Sequence, residues 1–272
     1  MPEWATLLPL PTLRRTGRLA SRDRYPWTEG LKTMTKAKLQ STLPFALLAA
    51  LAVPNACFGQ AVHDYGTWFS VNTTGDLAFH SEKDTKLKWW FDGHMRLFDD
   101  AGGYGQSIVR PGVGYQLNDR FTAWIGYGWI NETPVSGSPN FDENRIFQQL
   151  TWGRDIGCWN LSTRTRLEQR FVETGQDTGW RARHFTKAIR PLCIDPRLSA
   201  VVWDEFFFDL NSTDWGQNAS FSQNRLFLGL GWTFDRPRKP RIEIGYLQQF
   251  IRKRGGDDRI NHILSINWFT NF

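Results

Sequence analysis

The chain lacks a long hydrophobic run. No apolar stretch in its 272 residues reaches the ~18 that a membrane-spanning helix needs, so a helical membrane protein is excluded. Cysteine is scarce, with three, and the five histidines fall without metal-ligand spacing, so no metal site is expected. Neither a phosphate-binding loop nor a dinucleotide fingerprint occurs in a strand-to-helix context, and no cofactor is expected. An excess of one charge is missing where it would matter. The formal charge is +6, yet residues 1–33 hold six basic and three acidic side chains, and residues 34–61 hold Lys36 and Lys38 with no acid. Residues 62–272 therefore balance 25 basic against 24 acidic groups. A nucleic-acid binder carries its excess in the folded part, so nucleic acid is not an expected partner. What the chain has in plenty is Trp (14), Phe (20) and Gly (24), a composition that favours an all-β protein.

Residues 34–61 read as a secretory signal peptide. Lys36 and Lys38 precede an apolar run from Leu43 to Val53, Pro54 breaks it, and Gly59-Gln60-Ala61 supplies small residues at the cleavage positions. Met34 is then the natural start, and residues 1–33, with Pro2, Pro9, Pro11 and Pro26 and no sustained period, read as an over-extended gene start without structure. The mature chain, 62–272, is expected to be one domain.

That mature chain alternates. Arg225 to Phe234 places Leu226, Leu228, Leu230, Trp232 and Phe234 on one face, with Arg and Gly on the other. Residues 161–171 set Leu161, Thr163, Thr165, Leu167, Gln169 and Phe171 against Ser162, Arg164, Arg166, Glu168 and Arg170. Period two between turn residues is the strand signal. Apolar faces ending in Trp, Phe or Tyr, opposite faces of Arg and Glu mixed with Gly, and an export signal together describe an outer-membrane barrel with lipid outside and a hydrated lumen. The final Phe272 resembles the recognition signal of the barrel assembly machinery, with Thr270 a departure from it. The expected partners are outer-membrane lipid and, during biogenesis, that machinery and periplasmic chaperones; the oligomeric state is not legible.

Ten strands are expected at 86–98, 107–117, 121–132, 143–153, 159–172, 180–193, 199–210, 222–234, 240–252 and 259–272, with longer outer loops alternating with short inner turns. Single-chain bacterial barrels have even strand numbers. A hairpin around Thr74-Gly75-Asp76 is therefore expected in residues 66–81, giving an antiparallel up-and-down barrel of twelve strands; ten strands with residues 62–81 as a periplasmic arm or plug is the alternative. Cys158 opens one strand and Cys193 closes its neighbour. In an oxidising compartment, facing positions on an antiparallel pair are close enough for a disulfide, which is expected here. That register sets Glu168 opposite Arg183 and Arg164 opposite Lys187.

On these faces the lumen holds Asp92, His94, Arg96, Arg110, Arg145, Arg164, Arg166, Glu168, Arg170, Arg181, Arg183, Lys187, Glu205, Asp209, Arg225 and Glu243. Arginine forms bidentate pairs with carboxylates and stays charged. The expectation is an interior salt-bridge network, with a narrow anion-favouring constriction as its functional counterpart. No catalytic set is expected. Outer-membrane lipid hydrolases, the alternative class, need a nucleophile, a base and an orienting group on the outer wall, and neither His184 nor His262 gathers one. A scaffold barrel that binds an unknown partner is the third class.

Several phrases carry a resemblance: Glu143-Asn144-Arg145 with Gln148-Gln149-Leu150, Arg164 to Phe171, Asp204-Glu205-Phe206-Phe207, Gln223-Asn224-Arg225-Leu226 with Gly229 and Gly231, and Gly245 to Gln249. As a series across residues 62–272 they resemble the bacterial domain-of-unknown-function family 2490, with Asn144 where that family usually has His. The resemblance implies an outer-membrane barrel and leaves the activity open.

Overall fold

The computed structural model describes residues 61–77, 85–98, 102–134 and 139–272. The expected signal peptide, up to residue 60, and the expected gene-start extension lie outside them. The described residues form one closed barrel of eleven strands: β1 (Val62–Asp76), β2 (Leu87–Phe98), β3 (Gly103–Gln116), β4 (Phe121–Glu132), β5 (Phe141–Ile156), β6 (Trp159–Val172), β7 (Gly179–Leu192), β8 (Asp195–Asp209), β9 (Ser220–Thr233), β10 (Arg241–Ile251) and β11 (Arg259–Asn271). Consecutive strands pair antiparallel, and β1 closes the barrel parallel to β11, from Val62 beside Arg259 to Thr74 beside Asn271. The end of the barrel bearing residues 173–178, 210–219 and 252–258 is called upper below.

The ten strands read from β2 onward are all present. The first segment is a correction: residues 62–76 make one strand, with neither a hairpin nor an arm. An odd count forces the first and last strands to run parallel, because up-and-down neighbours alternate direction. Gly75 is a packing glycine and no turn. A Cβ there would stand 2.5 Å from Trp89 Nε1 and 2.9 Å from Phe272 Cβ.

The disulfide is also corrected. Cys158 and Cys193 are free and exposed. β6 and β7 pair with Asn160 opposite Ile189 and Arg166 opposite Arg183, so Glu168 faces Arg181 and Arg164 faces Phe185. This register differs by two residues from the one a Cys158–Cys193 pair would impose. A two-residue slip leaves every side chain on the same face, so alternation could not detect it.

Apolar side chains point outward. Val113, Ile125, Leu228, Leu230 and Leu264 are each about half exposed, while inward charges such as Glu168 and Glu243 are fully buried. Outward aromatics gather near both ends: Tyr65, Trp129, Phe171, Trp180 and Phe208 near the upper, and Tyr115, Phe121, Trp152, Trp232 and Trp268 near the lower. An outward polar row crosses the wall. Thr165 Oγ1 lies 3.0 Å from His184 Nδ1, Thr186 Oγ1 3.3 Å from His184 Nε2, and Asn224 donates to Asp204 Oδ1 at 2.6 Å. Its members are thus partnered within the wall.

Inside, glycines make room for aromatics. A Cβ on Gly245 would lie 2.8 Å from the Phe227 ring. That ring stacks on Trp203 at 5.3 Å within a buried cluster of Trp68, Val201, Phe227, Leu247 and Ile263. Phe98, Ile189 and Trp203 pack against the cluster. One side of the lumen is therefore filled by hydrocarbon.

Candidate functional site: the arginine lumen

The other side of the lumen is a network of ion pairs built by period-two placement. Every second residue of β6 from Arg164 to Arg170 points inward, and the same holds on β5 and β7. Two like-charged pairs result directly across the sheet, Arg145 opposite Arg170 and Arg166 opposite Arg183. Directly opposed like charges destabilise a sheet, and in each case a carboxylate resolves the conflict. Glu143 accepts from Arg145 Nε at 2.7 Å and from Arg170 Nε at 2.5 Å. Glu168 accepts from Arg183 at 2.6 Å and from Arg166 at 3.4 Å, with Arg145 at 3.6 Å. Glu205 accepts from Arg164 at 2.6 Å and Arg183 at 2.8 Å. Asp92 takes Arg110 Nε and Nη2 at 2.9 and 2.6 Å, with His94 Nε2 at 3.1 Å. Arg181 pairs with Asp209 at 2.5 Å, and Lys187 crosses to Glu243 at 2.7 Å.

The expected lumen residues are thus brought together, in a different pairing from that expected. Arg183 still reaches Glu168, but diagonally, and Lys187 partners Glu243. Five further charged groups belong to the network: Asp64, Glu132, Glu143, Arg241 and Arg259. Asp64 pairs with Arg259 at 2.7 Å, and Arg241 with Glu243 at 3.2 Å. Asp64 escapes a sequence reading that turns β1 into a hairpin. Glu143 was within reach, since it stands two residues from Arg145 and so shares its face.

The ledger of charge is unequal. Leaving aside the rim pair Lys88–Asp76, the inward cations are Lys187 and eleven arginines: 96, 110, 145, 164, 166, 170, 181, 183, 225, 241 and 259. The inward carboxylates are eight: Asp64, Asp92, Glu132, Glu143, Glu168, Glu205, Asp209 and Glu243. Aromatic faces take up part of the surplus. Arg166 lies 4.0 Å from the Phe147 ring centre, and Arg96 and Arg225 lie 3.9 and 4.9 Å from that of Trp68.

Among the described residues, two of the cavities lie in the upper half. The inner one, about 270 Å³, is lined by eight arginines (96, 110, 145, 170, 181, 183, 225 and 259) and by Glu132 as its one carboxylate. The outer one, about 300 Å³, shares Arg170, Arg181, Gln223 and Ile251 with it and adds Trp215, Arg252, Lys253 and Arg254, with Asp209 as its carboxylate. The loops at this mouth are tied together. Asp214 accepts from the backbone N–H of Gln176 at 2.8 Å and of Asp177 at 3.1 Å, which holds its carboxyl below the ordinary value. Trp215 Nε1 donates to Asp177 O at 2.8 Å.

His184 points outward as expected but stands opposite Thr165, with Thr186 on its second nitrogen. His262 lies 2.9 Å from His63 and 2.7 Å from the Tyr246 hydroxyl. No group of three or more metal-ligating side chains occurs among the described residues. Phe272 is half exposed; its N–H donates to Thr74 O at 2.8 Å and its ring packs on Trp89 and Arg238.

Comparison with known proteins adds kinship. Residues 65–261 match the model of a family described as protein of unknown function, DUF2490. An uncharacterized protein of Methylorubrum extorquens is 34% identical over 238 residues, covering 85% of this chain and 97% of the relative. No solved structure matches. The chain, a closed β-barrel of eleven strands, belongs to the DUF2490 family.

Proposed function

We propose that the protein is an outer-membrane barrel whose lumen is shut, acting as a rigid structural barrel. The single observation that carries this is the inversion of polarity: the closed wall turns Leu, Ile and Val outward and keeps carboxylates and guanidiniums buried inside. A water-soluble barrel does the reverse. The odd strand count departs from the even number usual in bacterial barrels, but parallel closure of β1 on β11 still leaves no strand edge, the condition for crossing hydrocarbon, and aromatic rings near both ends suit the two interfaces. The expected route is export, cleavage near Ala61, chaperone escort through the periplasm, and insertion by the assembly machinery with Phe272 read as the signal. Closure of the lumen is supported by the packed cluster around Phe227 on one side and the ion-pair network on the other.

Refolded protein in a planar bilayer is expected to give no reproducible conductance. The surplus of inward arginine favours a second reading, a narrow anion-favouring pore. Reproducible steps with anion preference, inverted or lost in Arg164→Glu and Arg166→Glu, would establish that reading and overturn closure. Release of fatty acid from phospholipid would point instead to the hydrolase class.

A further inference from the structure

We propose that the inner cavity of the upper lumen binds a small phosphate-bearing anion, held between Arg96 and Arg225. Among the eight arginines on its wall, six are matched by a wall carboxylate: Arg110 by Asp92, Arg145 and Arg170 by Glu143, Arg181 by Asp209, Arg183 by Glu168 and Glu205, and Arg259 by Asp64. The remaining two are not so matched. Arg96 donates to the Gln106 carbonyl at 2.5 Å, has no carboxylate within ion-pair distance among the described residues, and leaves its buried Nε without a partner. Arg225 has its nearest carboxylate oxygen at 3.8 Å, on a Glu205 that already serves Arg164 and Arg183, and its Nε and Nη2 donate to the neutral amide oxygen of Gln223 at 2.5 and 2.9 Å.

Both residues are buried, and both line the cavity. Both are also fixed in place, since their guanidiniums lie over the one indole of Trp68. Two desolvated cations with incomplete counter-charge are costly, and an anion entering between them offsets that cost. Two guanidiniums match a phosphate dianion in charge, and exchanging the neutral amide oxygens of Gln106 and Gln223 for phosphate oxygens would keep their hydrogen bonds made. A volume of about 270 Å³ suits a small solute. The carboxylate of Glu132 also faces the cavity, but it accepts from Gln106, the amide that Arg96 holds. Entry is from the upper mouth, where Arg252, Lys253 and Arg254 line the adjoining cavity and focus anions inward.

The inference concerns the upper lumen alone and does not need the membrane reading. Its test is titration calorimetry on the refolded barrel in neutral detergent with about 0.15 M chloride, the salt level that screens loose surface binding. The probes are inorganic phosphate, glycerol 3-phosphate and succinate. Saturable binding of phosphate or of the phosphomonoester is expected, and the tighter of the two identifies the source as free phosphate or an organic phosphate. Arg225→Gln and Arg96→Gln should each weaken it at least about tenfold, the loss of one charge-assisted fork. Arg96→Lys keeps the charge and should bind between wild type and Arg96→Gln, which guards against loss of folding in the latter. Arg197→Gln, at the opposite end of the barrel, should bind as wild type does. Heat-dependent gel mobility checks that each variant is folded. Absence of saturable binding by both phosphates overturns the proposal. So does binding that survives Arg96→Gln and Arg225→Gln unchanged, or succinate binding more tightly than either phosphate.

Discussion

Glu168→Gln is expected to destabilise the barrel by about 3–5 kcal/mol, the range for removing one partner of a buried ion pair. The carboxylate is fully buried and stands among Arg183, Arg166 and Arg145 at 2.6, 3.4 and 3.6 Å. Glutamine keeps the shape and one acceptor but removes the charge, so Arg166 and Arg183, directly opposed across β6 and β7, face each other without it. The reverse substitution is expected to be milder. Arg166→Gln removes one cation of three and leaves Glu168 with Arg183 and Arg145. Its loss should be about 1–2 kcal/mol, the scale of hydrogen bonds such as those Arg166 makes to Gln149. The asymmetry follows from the ledger, since a lumen with more cations than carboxylates tolerates losing a cation better than losing an anion. Denaturant unfolding in detergent, followed by tryptophan fluorescence, ranks the two variants. Equal losses, or a larger loss for Arg166→Gln, would contradict the network as drawn.

Phe227→Ala should be nearly as damaging, at about 3–5 kcal/mol for a large-to-small change in a packed core. The ring is fully buried, stacks on Trp203 and fills the space above Gly245 and Gly229, where no side chain can move in to replace it. The void therefore persists instead of collapsing, which places the expected loss toward the upper part of that range. Its neighbour Leu247 lies directly opposite on β10 and is buried in the same cluster. If the lumen is closed by this cluster, the double variant Phe227→Ala/Leu247→Ala should conduct in a planar bilayer where the wild type is silent. Anions should be preferred, because the exposed walls carry the arginine surplus. The two losses will not add, since the side chains face each other in one buried cluster. A double variant that folds and stays silent would place the seal elsewhere in the lumen.

Alternation is enough to read ten of the eleven strands, because one face of each is strongly apolar and the other is charged. β4 and β6 match the expected bounds at both ends. Three things were hidden, each for a physical reason. The parallel closure of β1 on β11 is hidden because the even count usual in bacterial barrels turns the packing glycine Gly75 into a turn. The β6–β7 register was hidden because slips of two residues preserve faces, and the cysteines, free at the lower turns, then chose the wrong one. The third was the ion-pair partners across the lumen, such as Lys187 with Glu243, 56 positions away in sequence. Such pairs depend on how side chains reach across a closed wall, which local pattern does not encode. The incompletely compensated arginines Arg96 and Arg225 emerge only once those partners are assigned.

The central claim is the inversion itself: hydrocarbon outside, charge inside. Spin labels placed singly by cysteine substitution, in a Cys158→Ser/Cys193→Ser background refolded into phospholipid vesicles, test it most directly. Labels at Val113, Ile125, Leu230 and Leu264 are expected to collide freely with oxygen, which dissolves in lipid, and to be shielded from a water-soluble nickel chelate. A label at Ser212 or Arg254, in the upper loops, should show the opposite preference. Nickel access at the four wall positions equal to that at the loops would contradict the account and make the exposed apolar wall something other than a lipid-facing surface.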